Sequence, residues 1–212
     1  MELNSRIGGN ALVFLYFLLP FVLWPLTFIV FSNRFIYAMA LSDLLLLALT
    51  LVAFRKYVKL RVGNVGGIVA FGIGAAILLY AIFLAGYYLA GYVGMGAYVG
   101  DVYSMIYSEG GTLQIVLLLA FIGVAEETYW RGGIQGYASE KMKRFKAKPW
   151  LLSTLYYGGI HLTTLNPILA IAALLVGLVT SLVAYRKGIL ASMISHIIWI
   201  EAIVVFLPVL HA

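Results

Sequence analysis

Residues 112–131 read TLQIVLLLAFIGVAEETYWR: an apolar run from Leu113 to Val124, then Glu126 and Glu127, then Arg131. The nine large aliphatic or Phe side chains of that run contribute about −3 to −5 kcal/mol on the membrane-insertion scale, whereas two acids at the centre of a span cost about 5–7 kcal/mol. The segment is marginal as a span by itself, so its acids need partners. Glu127 and Arg131 stand one helical turn apart on one face, which makes an ion pair available. Glu126 points about 100° away from Glu127 and about 140° from Arg131. With no local counter-charge, its partners must come from other helices.

The rest of the chain fits this reading. The sequence has 212 residues, 64% of them hydrophobic and only 10% charged, with a mean hydropathy of +1.03. Such a composition excludes a soluble globular domain and predicts an integral membrane protein, an all-α polytopic helix bundle. Apolar blocks able to cross about 30 Å of hydrocarbon fall at 11–31, 36–54, 66–90, 112–131, 150–163, 168–185 and 189–207. They predict seven spans, eight if one more segment enters, in a single domain over 1–212 whose chemistry-bearing part is about 112–207. The first block is too long for a signal peptide and lacks a small-residue cleavage site, so it reads as a retained helix. There are no cysteines, which excludes thiolate metal sites and cysteine nucleophiles.

A net charge of +6 raises the question of nucleic acid, but the basic residues follow a membrane pattern. Arg55, Lys56, Lys59 and Arg61 follow the second block. Arg131, Lys141, Lys143, Arg144, Lys146 and Lys148 follow the fourth, and Arg186 and Lys187 the sixth. A seven-span layout puts all three clusters on one side, and the positive-inside bias makes that side cytoplasmic, with the N-terminus inside and Arg34 outside. Anionic lipid headgroups of a cell membrane, not nucleic acid, are the partners this implies. On the other side, 91–111 carries no Lys or Arg and predicts a loop or a short interfacial helix. Glycines 66, 67, 72, 74 and 86 predict close helix approach in the third span. The fourth helix should run past Arg131 to Glu140, although Gly132, Gly133 and Gly136 weaken it. Glu126 is then about 15–20 Å from the inner end of its helix, within reach of the cytoplasm.

Two histidines lie at membrane depth. His161 follows Tyr157 by one turn, and His196 is about seven residues into the last block. Counted from the inner ends of their helices they are about 18 Å and about 10 Å deep, comparable with Glu126. A carboxylate and two imidazoles from three helices form a plausible water-activating centre. The same three residues, as one carboxylate and two neutral nitrogens, are an alternative zinc ligand set.

These residues carry a family resemblance. Glu126, Glu127 and Arg131 match a motif of two glutamates, three free positions and an arginine; Tyr157 and His161 match an aromatic residue followed by a histidine; His196 begins a third motif, whose usual Asn or Asp is here Ile200. In this order on successive membrane helices, the set resembles the CAAX protease and bacteriocin-processing (CPBP, or ABI) family of intramembrane proteases, best known for type II CAAX prenyl endopeptidases. The resemblance implies a glutamate-type protease with no obligatory metal, acting on a membrane-associated peptide, lipidated in the CAAX case. It implies Glu126 as the base that activates water, His161 as an aid to its placement and His196 as oxyanion stabiliser, with Glu127, Arg131 and Tyr157 in support. Removing one oxyanion donor typically costs about 2.7–4 kcal/mol, so Ile200 keeps open a weak or inactive relative serving as a membrane scaffold or immunity protein. Trp199, Glu201 and Asn166 are the polar candidates to replace the lost donor. Asp43, Glu126 and Glu201 as a proton relay would instead suit a transporter, but the chain shows no repeated half with paired broken helices.

Overall fold

The computed structural model describes residues 2–60, 63–107, 111–141 and 148–211, and among these every regular element is helical. The order is α1 (Glu2–Pro25), α2 (Phe35–Leu49), α3 (Val65–Tyr92), α4 (Gly96–Tyr107), α5 (Thr112–Glu127), α6 (Gln135–Lys141), α7 (Pro149–His161), α8 (Pro167–Lys187) and α9 (Ile189–Glu201). Helices α1, α2, α5 and α9 each run on into a π-helical turn, at Leu26–Val30, Thr50–Phe54, Thr128–Ile134 and Ala202–Phe206. The all-α polytopic bundle expected from composition is what forms.

Among the described residues six segments are long and apolar enough to span a membrane: Ala11–Val30, Ser32–Tyr57, Val65–Tyr92, Thr112–Lys141, Pro167–Lys187 and Ile189–Phe206. The fifth of the seven expected spans, 150–163, becomes α7, whose 13 residues measure about 20 Å at 1.5 Å each. It is too short to cross alone and instead pairs antiparallel with α8. Gly158 allows this close approach to Leu174, and Gly177 faces Tyr157 and Thr154. The turn between them uses Leu165 in the left-handed region (φ 60°) and Asn166, whose side chain caps α8 at the Leu169 N–H. Asn166 also donates to the Tyr98 carbonyl, tying this turn to α4 at 3.0 Å. Gly188, at φ 91°, reverses the chain between α8 and α9 where a side chain would be strained.

Thr112–Lys141 is one continuous helical segment of 30 residues, as expected past Arg131. Its glycines strengthen packing where they were expected to weaken the helix. A Cβ at Gly133 would run into the Tyr16 hydroxyl, and one at Gly136 into the Tyr57 carbonyl. In α3 only Gly72 makes the close helix contact predicted for its glycines, against Ala191 and Ile194. Gly66 and Gly67 sit beside the N-cap Asn64, while Gly74 and Gly86 have nothing within 4 Å, so packing does not require them.

The two ends of the bundle differ in charge. Lys59 reaches Glu140 at 3.9 Å and Lys187 lies over the Phe71 ring, so the basic segments share one end. Arg61, Lys143, Arg144 and Lys146 lie outside the described residues, as do Glu109 and Gly110. At the opposite end the 91–111 stretch forms α4, the short helix anticipated there. Tyr103 donates to the Ile203 carbonyl at 2.6 Å and Tyr107 to the Val204 carbonyl, which fasten α4 to the end of α9. Burial pushes the Tyr103 phenol up to about 12, so it stays a neutral donor.

Candidate active site

The site begins with a close crossing of α5 and α9. Gly123 has no side chain, and a Cβ there would lie 2.8 Å from Ile197, so α9 can approach within reach of the glutamates one turn on. Glu127 and His196 are thereby brought into contact, with His196 Nδ1 2.9 Å from Glu127 Oε1. The same oxygen is 3.2 Å from the Arg131 guanidinium, and Ser192 donates to the other oxygen. Arg131 in turn stacks over Tyr157, 4.8 Å from the ring centroid. Glu127 is therefore enclosed by two cationic or potentially cationic groups and a hydroxyl.

Glu126 points the other way, as its one-residue offset requires. Its Oε2 accepts from the Tyr157 hydroxyl at 2.9 Å and lies 3.8 Å from His196 Nε2. The partners thus come from α7 and α9, other helices as anticipated. His196 bridges the two glutamates: Nδ1 faces Glu127 and Nε2 faces Glu126. Such a carboxylate behind an imidazole fixes the orientation of the ring. Each of these side chains is buried.

His161 is placed differently from expectation. Trp24 Nε1 donates to its Nε2 at 3.1 Å, and its Nδ1 faces the Tyr157 carbonyl at 2.8 Å. An indole N–H can only donate, so Nε2 is the acceptor and Nδ1 carries the proton. Both nitrogens are engaged, and the ring meets Tyr157 edge-on with centroids 4.6 Å apart. Among the described residues no three His, Asp or Glu side chains are arranged to hold a metal ion. His161 turns neither nitrogen toward Glu126 and His196, the other two residues of the alternative zinc set.

Glu126, Tyr157, His161 and His196 line a cavity of ≈ 260 Å³ whose other walls are almost wholly apolar. Its lining comes from the first turns of α2 (Ile36, Met39), the end of α3 (Phe83, Tyr87), α4 (Val99, Tyr103), the start of α8 and the end of α9. All of these lie toward the end of the bundle away from the basic segments. Depth alone predicts access from the basic end, whereas the cavity lies toward the other end. On that side Tyr129, Trp130 and Arg131 fill the space below the glutamates, while Gly133 of the π turn and Gly136 of α6 admit Tyr16 and Tyr57.

Sequence reasoning missed Trp24, Ser192 and the burial of Asp43 without a hydrogen-bond partner among the described residues. Trp24 and Ser192 had no signal, since their contacts join residues 137 and 65 positions apart. Ile200, where the third motif departs, lines the cavity, as does Trp199. The Trp199 indole N–H is buried without an acceptor among the described residues.

Fold and site together define an all-helical polytopic membrane protein with a buried glutamate–histidine centre at the floor of an apolar cavity. Residues 107–200 match the family model described as type II CAAX prenyl endopeptidase Rce1-like, which bears out the resemblance to the CAAX protease and bacteriocin-processing family. The matched stretch runs from the end of α4 to Ile200 and contains all six motif residues. No curated protein and no solved structure matches the chain.

Proposed function

We propose that the protein is an intramembrane peptide hydrolase in which Glu126 activates water against a peptide bond of a membrane-anchored substrate. The observation that carries this reading is the pairing of Glu126 with His196 Nε2 at 3.8 Å on the cavity floor, each held by its own partner, Tyr157 and Glu127. Glu126 takes a proton from water as the oxygen attacks the scissile carbonyl carbon, and passes that proton to the leaving amine when the C–N bond breaks. His196, protonated on both nitrogens, gives one N–H to Glu127 and turns the other to the developing oxyanion. The charges of Glu126, Glu127, Arg131 and His196 then sum to zero, which suits a low-dielectric site. His161 acts at one remove, by bracing Tyr157. The unengaged Trp199 N–H beside His196 supports a second donor in the role Ile200 cannot fill.

The substrate class follows from the walls. An apolar cavity that reaches a buried carboxylate suits a peptide whose attached lipid chain occupies the cavity while the bond to be cut lies at its floor. With the basic end in the cytoplasm, as the positive-inside bias requires, such a substrate enters from the opposite half of the membrane. Neither step calls on a metal.

Reconstituted protein offered matched peptides with and without a lipid chain tests this. Cleavage of the lipidated peptide, with kcat/KM at least about tenfold above the bare one, is expected, since about two buried methylenes already supply that factor. A folded preparation that neither binds nor cuts either peptide overturns the reading. Ile200 on the cavity wall favours a second one, a peptide-binding scaffold, for which the same experiment would show binding without cleavage.

A further inference from the structure

Asp43 lies on α2 one turn beyond Met39, on the face that carries Ile36 and Met39 into the cavity wall. Its side chain is fully buried, and neither carboxyl oxygen has a hydrogen-bond partner among the described residues. Helix α2 packs along α5, and the α5 face that carries Ile122 and Glu126 lines the same cavity as Ile36 and Met39 of α2. The other titratable groups on the elements packed against α2 are engaged elsewhere. Glu127 is held by Arg131, His196 and Ser192, and Arg131 by Glu127 and the Tyr157 ring. Tyr16 bonds to Thr50, Tyr129 to the Tyr16 carbonyl and Tyr103 to the Ile203 carbonyl, while Arg34 and Asp101 are exposed.

A lone buried carboxylate costs several kcal/mol, and two carboxyls that face each other in apolar surroundings do not both ionise. Core filling does not call for an acid here, because Leu, Met or Ile occupies the neighbouring positions of the same face. The family match begins at residue 107, so α2 lies outside it.

We propose that Asp43 is a positioning residue of this centre, holding with Glu126 a single proton between the two carboxyls, so that Asp43 as the acid keeps Glu126 as the anion that accepts a proton from water. The proposal rests on Glu126 as the base and adds the group that sets its charge. If Asp43 only filled space, an isosteric amide would serve as well and Glu126 would not sense the change.

The test uses the full chain in liposomes, with kcat, KM and the pH–rate profile of D43N and D43E, and the infrared C=O stretch of protonated carboxyls for wild type, D43N and E126Q. D43N should keep KM, lower kcat by about ten- to a hundredfold, the low end of what a proton-transfer group contributes, and alter the pH–rate profile. D43E should recover part of the rate. The protonated-carboxyl band should shift in D43N, where the proton is left on Glu126 and the base is lost, and shift in E126Q, where Asp43 holds it alone. A wild-type rate and profile in D43N, or a band that neither substitution changes, overturns the proposal. The infrared comparison needs no turnover, so it decides the shared proton even if E126Q remains active and the base assignment fails, or if D43N does not fold.

Discussion

Glu126 and Glu127 are adjacent, yet a single residue's rotation of about 100° gives them different surroundings. Glu127 meets Arg131, His196 and Ser192, which compensate a charge inside the bundle; Glu126 meets a phenol, one face of an imidazole and the cavity. Arg131→Met removes one cation from an enclosed carboxylate and should cost about 3–5 kcal/mol of stability, as breaking a buried pair does. Thermal unfolding in detergent measures it, and the double variant with Glu127→Gln should recover part of the loss. An Arg131→Met protein as stable as wild type would show that Glu127 does not depend on the guanidinium. The Glu127–Arg131 pair was legible in the sequence because a four-residue spacing fixes a contact on any helix. The Trp24–His161 bond was not, since it depends on how α1 and α7 meet, and it occupies the Nε2 of His161.

At the scale of elements, the π turn Thr128–Ile134 widens the helix just below the glutamates, and π turns inside helices recur at functional sites. Gly132 and Gly133 of this turn, and Gly136 just beyond it, were read from propensity as weak points. Propensity prices a glycine by its backbone freedom and takes no account of a neighbour; here Tyr16 and Tyr57 occupy the space a side chain would need. Gly133→Ala should destabilise the protein by about 1–3 kcal/mol through overpacking, and Tyr16→Phe in the same chain should relieve part of this by removing the clashing hydroxyl. Equal stability of Gly133→Ala and wild type in chemical unfolding would contradict that packing. Helix α7 was legible as a short apolar block with the right histidine, but its role as a partial span paired with α8 rests on Gly158 and Gly177, whose partners the sequence does not name.

At the scale of the molecule, composition alone made the helical bundle legible, because a chain this apolar must satisfy its backbone within helices. The depth of the acids was legible too. The direction of the cavity was not: residue counts give depth from either end, while the empty side is decided by which large side chains fill the other. Tyr129, Trp130 and Arg131 close the basic end, and α4 with the ends of α3 and α9 encloses the space at the far end. In this arrangement His196 joins the two glutamates, and the proposed hydrolysis turns on one carboxylate. The most direct measurement is the cleavage rate of a lipidated peptide by Glu126→Gln in liposomes, at wild-type folded content. Retained melting temperature with turnover lowered at least about a hundredfold, as expected on losing a general base, is the predicted result; cleavage at the wild-type rate would contradict Glu126 as the base.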